Sequence, residues 1–417
     1  MTTSMTDTAP RLPRSFTPLA ASNLAAQSAE QLSQAAVPIV AVLALGAGPG
    51  AIGLLAAAQS LPFLLFALPF GVWADRGSRR RLMLGAEALR GTSLLALAAL
   101  VLLGGLSIPA LVGLGFVGAL GTVAFSVAAP ALVPALVPRE QLARANGRLE
   151  LARSAAFTAG PAAGGALVAW GGASGAFVLA AVLSATALAC LARIVEPARA
   201  TPPRRRPWLE LTDGARLVWQ HPLLRPILLT AVAWNIAWFV LQAAYVPYAV
   251  RTLGLDPATL GLTLAVYGLG MGVGALAAPR VVAALPFGRA IQLGPLVSVL
   301  AAATLAATLV VPRAWLAGVA YFLFGAGPII WSITSMTLRQ SVTHGAMLGR
   351  VSAMFLTVNM GARPVGAALG GFVGTAWGEP ACLLLALAGF GVQLAIILAS
   401  PVSALRSLAS APAPASA

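Results

Sequence analysis

The chain has 417 residues, 59% of them hydrophobic and only 9% charged, with a mean hydropathy of +0.89. A water-facing domain carries about a quarter charged residues, so the composition excludes a soluble globular fold and leaves a chain whose surface faces lipid. The net charge of +15 comes from residues strung between apolar segments rather than gathered on one face, which argues against nucleic acid as a partner.

All the basic residues are arginine, which with the heavy Ala and Gly content reads as GC-rich coding rather than a binding feature. Cys190 and Cys382 each sit inside an apolar run without partner spacing for zinc or a redox pair, so packing is their expected role. His221 and His344 are single and flank loops, and no GxxxxGK[ST] loop occurs. No Ser/His/Asp or metal cluster is present, so neither an enzyme nor a cofactor is expected. Arg11 and Arg14 precede an apolar stretch longer than a signal-peptide core, which reads as a first span.

A helix crosses the hydrocarbon core with about 20 apolar residues. Such stretches predict twelve spans, near 16–45, 50–73, 82–104, 107–135, 148–170, 174–194, 224–250, 257–280, 289–311, 314–338, 348–374 and 378–400. The expected fold class is an all-α membrane protein of twelve transmembrane helices in two pseudo-symmetric six-helix bundles, residues 16–194 and 224–400. A short N-terminal tail, 1–15, precedes them, and a tail rich in Ala, Pro and Ser, 401–417, is expected to be disordered and cytoplasmic. Between the bundles, 195–223 reads as a cytoplasmic linker with an amphipathic helix that places Trp208, Leu211, Ala215 and Val218 on one face. With both termini cytoplasmic, only Arg251 and Arg313 face outward, while Arg90, Arg153, Arg225 and Arg363 lie in or at the edge of spans. That bias is the one that orients helices on insertion.

The halves echo each other. Gly147-Arg148 and Pro161 recur as Gly349-Arg350 and Pro364, Gly71 as Gly274, and less strictly Gly164-Gly165 as Gly370-Gly371. A parallel repeat with a site between its halves near the midplane is a recurrent transporter plan.

Ionisable groups within spans are costly and default to functional candidates. In the first span Asn23, Gln27, Glu30 and Gln34 recur at helical spacing and form one polar face. Two readings stand for Glu30: a proton-exchanging carboxylate, or one satisfied by a neighbouring arginine or water near the membrane surface. Glu87, next in line for proton coupling, lies three residues from Arg90 and is expected to pair with it in a structural role. Arg363, one turn beyond Asn359, is open between binding an anionic substrate and holding a carboxylate. In the seventh span Asn235, Trp238, Gln242 and Tyr245 form an aromatic and polar stripe fit to line a cavity for a planar or amphipathic ligand, with Trp331 and Ser335 a weaker version in the tenth.

Two motifs carry a family resemblance. Between the second and third spans stands Gly71-Val72-Trp73-Ala74-Asp75-Arg76-Gly77-Ser78-Arg79-Arg80-Arg81, which resembles the signature loop G-x-x-x-D-R-x-x-R-R/K of the major facilitator superfamily. By that resemblance Gly71, Asp75, Arg76, Arg79 and Arg80 form a cytoplasmic latch. In the fifth span Gly147, Gly160, Pro161, Gly164 and Gly165 match the motif G-x8-G-x3-G-P-x2-G-G of drug-exporting members, with Ala156 at the second glycine. Ser60-Leu61-Pro62-Phe63, Arg144–Leu149, His221–Arg225 and Thr357–Pro364 are similar to stretches of the macrolide-efflux and enterobactin-exporter branch. The resemblance covers about residues 19–400. It implies a monomeric, multi-pass exporter of a bacterial inner membrane. Its partners would be a small amphipathic substrate, protons and the lipid bilayer, with proton-coupled antiport as the mode. An importer or facilitator, or a non-transporting receptor or assembly factor, is the alternative.

Overall fold

The computed structural model describes residues 12–138, 141–196 and 207–407, without the side chains of Asp75, Ala143, 207–211, Gly345 and Ala346. Eleven α-helices run through these residues. They are α1 (Thr17–Leu45), α2 (Pro49–Arg76), α3 (Arg79–Leu102), α4 (Ile108–Leu136), α5 (Leu142–Ala192) and α6 (Pro207–Gln220). The second half holds α7 (Leu224–Arg251), α8 (Pro257–Ala284), α9 (Phe287–Ala307), α10 (Ala314–Val342) and α11 (Gly345–Leu398). All except α6 are long and apolar enough to cross a membrane, ten in all. In lipid every backbone N–H and C=O must bond within its own segment, which leaves the helix as the solution for a chain this apolar.

Two of the ten each make two passes. Within α5 only Gly172 leaves helical geometry (φ 69, ψ 178), and within α11 only Gly378 does (φ 82, ψ 174). Ala145 and Leu191, near opposite ends of α5, belong to the same buried cluster, as do Val351 and Ile397 of α11. The chain therefore reverses at each glycine, and ten helices make the twelve predicted passes. Positive φ at these points is open to glycine and strained for other residues. Trp170 and Trp377, just before the two turns, are 86% and 66% exposed, as suits indoles at a membrane interface.

Helix pairings repeat between the halves. α1 packs on α5 as α7 does on α11; α3 on α4 as α9 on α10; α2 on α4 as α8 on α10. The halves meet by exchange, α5 against α8 and α11 against α2. Small residues allow backbone approach there: Gly165 faces Gly261, and Gly53 faces Gly371. Exposed Leu54, Leu65, Leu276 and Phe372 point outward, to the lipid side.

One expectation is corrected. Residues 401–407, placed in a disordered tail, are ordered: 401–404 form a 3-10 turn, Val402 is fully buried, and the carbonyls of Leu405 and Arg406 accept from the N–H groups of Gly288 and Phe287 at 2.8 and 3.1 Å. They occupy the first-turn donors of α9, which have no partner within their own helix. In α6 Val218 is buried, while Trp208 and Leu211 of its expected face lie outside the described side chains.

Candidate functional site: a cavity between the halves

Between the halves lies a cavity of about 690 Å³. Glu30, Gln34, Arg153 and Gln59 line it from the first half; Trp234, Asn235, Trp238, Gln242, Tyr267, Asn359 and Arg363 line it from the second. It runs from Val37 and Val246 to Arg339 and Phe355, and so reaches the end of the bundle that carries the loop after α2. The first-half wall carries a polar patch because the 23-27-30-34 face of α1 turns inward in part: Gln34 donates to the Glu30 carboxylate at 2.9 Å. Gln27, expected in the cavity, does not line it.

The second-half wall is aromatic. Trp234 and Trp238, four residues apart on α7, stack with centroids 5.4 Å apart and an interplanar angle of 11°. Tyr267 and Phe324 pack against Trp238 at 5.4 and 5.1 Å. Gln242 accepts from the Tyr321 hydroxyl at 2.9 Å. Tyr245 corrects the expected stripe: it is fully buried, shares a 2.7 Å hydrogen bond with Thr263, and lies behind the wall rather than on it. A 3.6-residue period places residues on a face without saying how deep that face sits.

Glu87 and Arg90 lie apart from the cavity in a buried network. Arg90 pairs with Glu87 at 2.9 Å and donates to the carbonyl of Ala26 on α1 at 3.0 Å and to Thr122 on α4 at 3.1 Å. Further hydrogen bonds help a buried ion pair persist, and the two that Arg90 makes beyond Glu87 tie α3 to α1 and α4. The Ala26 carbonyl is one turn from Glu30 along α1.

In the loop after α2, Asp75 lies outside the described side chains, and Arg76 is exposed. Arg79 is buried and donates to the carbonyls of Ala74 and Ala131 at 3.3 and 2.5 Å, while Arg80 donates to those of Leu191 and Ala192 at 3.1 and 2.7 Å. The acid that holds the start of α3 is Glu196, which sequence reasoning passed over. Its carboxylate accepts from the Ser78 hydroxyl at 2.6 Å and from the backbone N–H groups of Arg79 and Arg80 at 3.1 Å each. A carboxylate there meets both the free donors and the positive end of the helix dipole. Glu196 holds the start of α3 as the 405–406 carbonyls hold that of α9.

The fifth-span glycines divide by environment. A Cβ on Gly160 would sit 3.1 Å from the Leu32 nitrogen of α1, and one on Gly164 3.0 Å from the Leu32 carbonyl. Gly165 instead meets α8, with the Gly261 Cα 2.7 Å from its would-be Cβ, and Gly147 has open space. Pro161 lies inside α5, and its carbonyl approaches Gly261. At the opposite end of the bundle Arg251, also missed, spans the halves. It donates to the Gly46 and Ala47 carbonyls at 2.8 and 2.9 Å and pairs with Glu379 at 3.3 Å.

Twelve passes in two related halves, around one cavity reached from one end and bridged at the other, define a membrane protein of the carrier type. The sequence match agrees: a Major Facilitator Superfamily domain spans residues 19–367. The chain belongs to that family of membrane transporters. It is 30% identical over 350 residues, 82% of this chain and 81% of the relative, to the enterobactin exporter EntS of Salmonella typhimurium. It is 32% identical over 311 residues, 73% and 72% of the two chains, to that of Shigella boydii serotype 18. In fold it is similar to the nucleoside transporter NupG, with a TM-score of 0.78 at 11% identity over 93% of this chain and 99% of that one. It is also similar to a bacterial homologue of the human lysosomal transporter Spinster, with a TM-score of 0.76 at 15% identity over 96% and 99%.

Proposed function

We propose that the chain is a secondary-active exporter that moves a small amphipathic molecule outward by alternating access, in exchange for protons carried by Glu30. The observation that carries this reading is the two-faced cavity: a polar patch of Glu30, Gln34 and Gln59 on the first-half wall, opposite an aromatic wall around Trp238. The first takes and releases a proton. The second takes the apolar part of the cargo. Both lie where alternating exposure of a midplane site acts on them together. The relatives' names make a siderophore the first cargo to try, ahead of a macrolide-like compound or another drug.

In this reading the termini and the linker with α6 face the cytoplasm, the cavity in this conformation faces inward, and the bridge at Arg251 closes the outside. The protein works as a monomer of two bundles, 16–194 and 224–400, in a bacterial inner membrane. The test is uptake of enterobactin into inverted liposomes holding the purified chain, with an acid interior imposed. Accumulation that collapses on dissipating the pH gradient supports the proposal. Uptake that is indifferent to the gradient, or efflux in the reverse sense, sinks it.

A further inference from the structure

The charged groups of the cavity are not balanced. Four line it: Glu30, Arg153, Arg339 and Arg363. Arg153 has its own carboxylate, with Nε 3.0 Å from both oxygens of Glu150. That leaves Glu30, which accepts from Gln34, as the one carboxylate of the lining against two arginines, Arg339 and Arg363. Arg339 lies over the Phe355 ring at 4.8 Å and has no carboxylate partner among the described residues. Arg363 is the more telling case. Its Nε donates to the Asn235 oxygen at 3.3 Å, and Asn235 is held for this by donating its own amide to the Ala231 carbonyl at 2.9 Å. The Phe63 and Phe239 rings lie at 6.0 and 5.6 Å from the guanidinium carbon. Its two Nη atoms donate to nothing among the described residues.

A guanidinium with its Nε anchored and rings beside it is oriented before any ligand arrives. What it leaves free is the pair of Nη donors. Parallel N–H donors suit a planar or tetrahedral oxyanion, and Arg363 is half-buried in a wall that carries more arginine than carboxylate. We propose that Arg363 is the anion-binding residue of the cavity and that the cargo is an aromatic oxyanion: its ring lies on the Trp234–Trp238 wall and its acidic oxygens on Arg363, with Arg339 adding positive potential at the entrance. This rests on the cavity being the cargo site. It adds a sign of charge to a cargo so far described only as amphipathic.

The test uses three probes of one ring and different charge: 1-naphthoate, 1-naphthylmethanol and 1-naphthylmethylammonium. Binding to the full chain in nanodiscs is measured by equilibrium dialysis, with empty nanodiscs subtracted. The expected order is naphthoate, then alcohol, then ammonium, with naphthoate about tenfold or more tighter than the alcohol, the worth of one charge-assisted hydrogen bond. Arg363→Gln should bring naphthoate down to the alcohol while leaving alcohol binding unchanged, and Arg363→Lys should retain part of the preference. Trp238→Ala should weaken all three probes together. Equal binding of the three by the wild type, or a naphthoate preference that survives Arg363→Gln, overturns the anion assignment alone. If no probe binds, the cavity is not an aromatic cargo site, and the wider reading falls with the assignment. Unchanged alcohol binding shows that the variant is folded.

Discussion

Gly165 of α5 and Gly261 of α8 face each other backbone to backbone across the boundary between the halves, each leaving less than 3 Å between its would-be Cβ and the other's Cα. At that approach a side chain on either residue forces the helices apart. Overpacking of a closed interface costs typically 1–3 kcal/mol. Gly165→Leu should therefore block transport by holding the halves away from this contact, and should lower the melting temperature in detergent. Gly147→Leu, where nothing lies within 4 Å, is the matched control and should do neither. Equal losses at both positions would show that the glycines act through helix propensity rather than contact.

Arg251 is the second inter-half contact with a readable consequence. Replacing it by Gln removes the pair with Glu379 and weakens the bonds to the Gly46 and Ala47 carbonyls. The bonds to Gly46 and Ala47 cross between the halves and hold one end shut, so the variant should populate the conformation open at that end about tenfold more, corresponding to roughly 1.4 kcal/mol. Spin labels at Leu103 and Val310, which are 82% and 84% exposed in loops of the two halves at this end, should show a longer distance distribution in Arg251→Gln. An unchanged distribution refutes the bridge as a closure.

Glu30→Gln keeps the hydrogen-bonding shape of the side chain beside Gln34 and removes its exchangeable charge. Driven accumulation should fail while counterflow of preloaded substrate continues, because coupling and binding are separable free energies. If binding and protein yield fall together instead, Glu30 is structural. If proton movement persists at full amplitude, the proton site lies elsewhere, with Glu87 the next candidate.

His221 gives a pH dependence of stability at the start of α7. Its Nδ1 accepts from the N–H groups of Leu223 and Leu224 at 3.2 and 3.4 Å, a role open only to the neutral ring. Burial lowers its pKa below the ordinary value, so the folded state disfavours the charged form. The stabilisation is present above the unfolded-state pKa of about 6.5 and is lost as pH falls below it. Melting temperature should drop between pH 7 and pH 5 by more than in His221→Asn, which offers a helix-capping oxygen without a titration in that range. Parallel pH profiles would remove the cap from the account.

Much of this architecture was written in hydropathy. The twelve passes and their edges to within a few residues follow from runs of about 20 apolar residues; the turn at Gly172 falls between two predicted spans, and that at Gly378 on the first residue of the twelfth. The cavity residues on α7 were legible because Asn235, Trp238 and Gln242 break an apolar span on one side. Tyr245 was misread because periodicity carries no depth. Arg339 and Arg251 were hidden by their position: an arginine near a helix end looks like a topology signal, whatever it touches. Glu196 was missed for a different reason. Its partners, Ser78 and the start of α3, lie 116 to 118 residues earlier, and no local pattern announces a carboxylate that caps another helix. Asp75 drew attention because its surroundings resemble a known loop.

The two single-glycine reversals leave almost no polypeptide between passes five and six or between eleven and twelve. An epitope tag, a protease site or a fluorescent protein inserted there would have to break a turn rather than lengthen a loop. On that face of the molecule the accessible insertion points are instead 103–107, 252–256 and 308–313, where the chain leaves helix altogether. A binder raised against that end of the purified protein would have little else to grip.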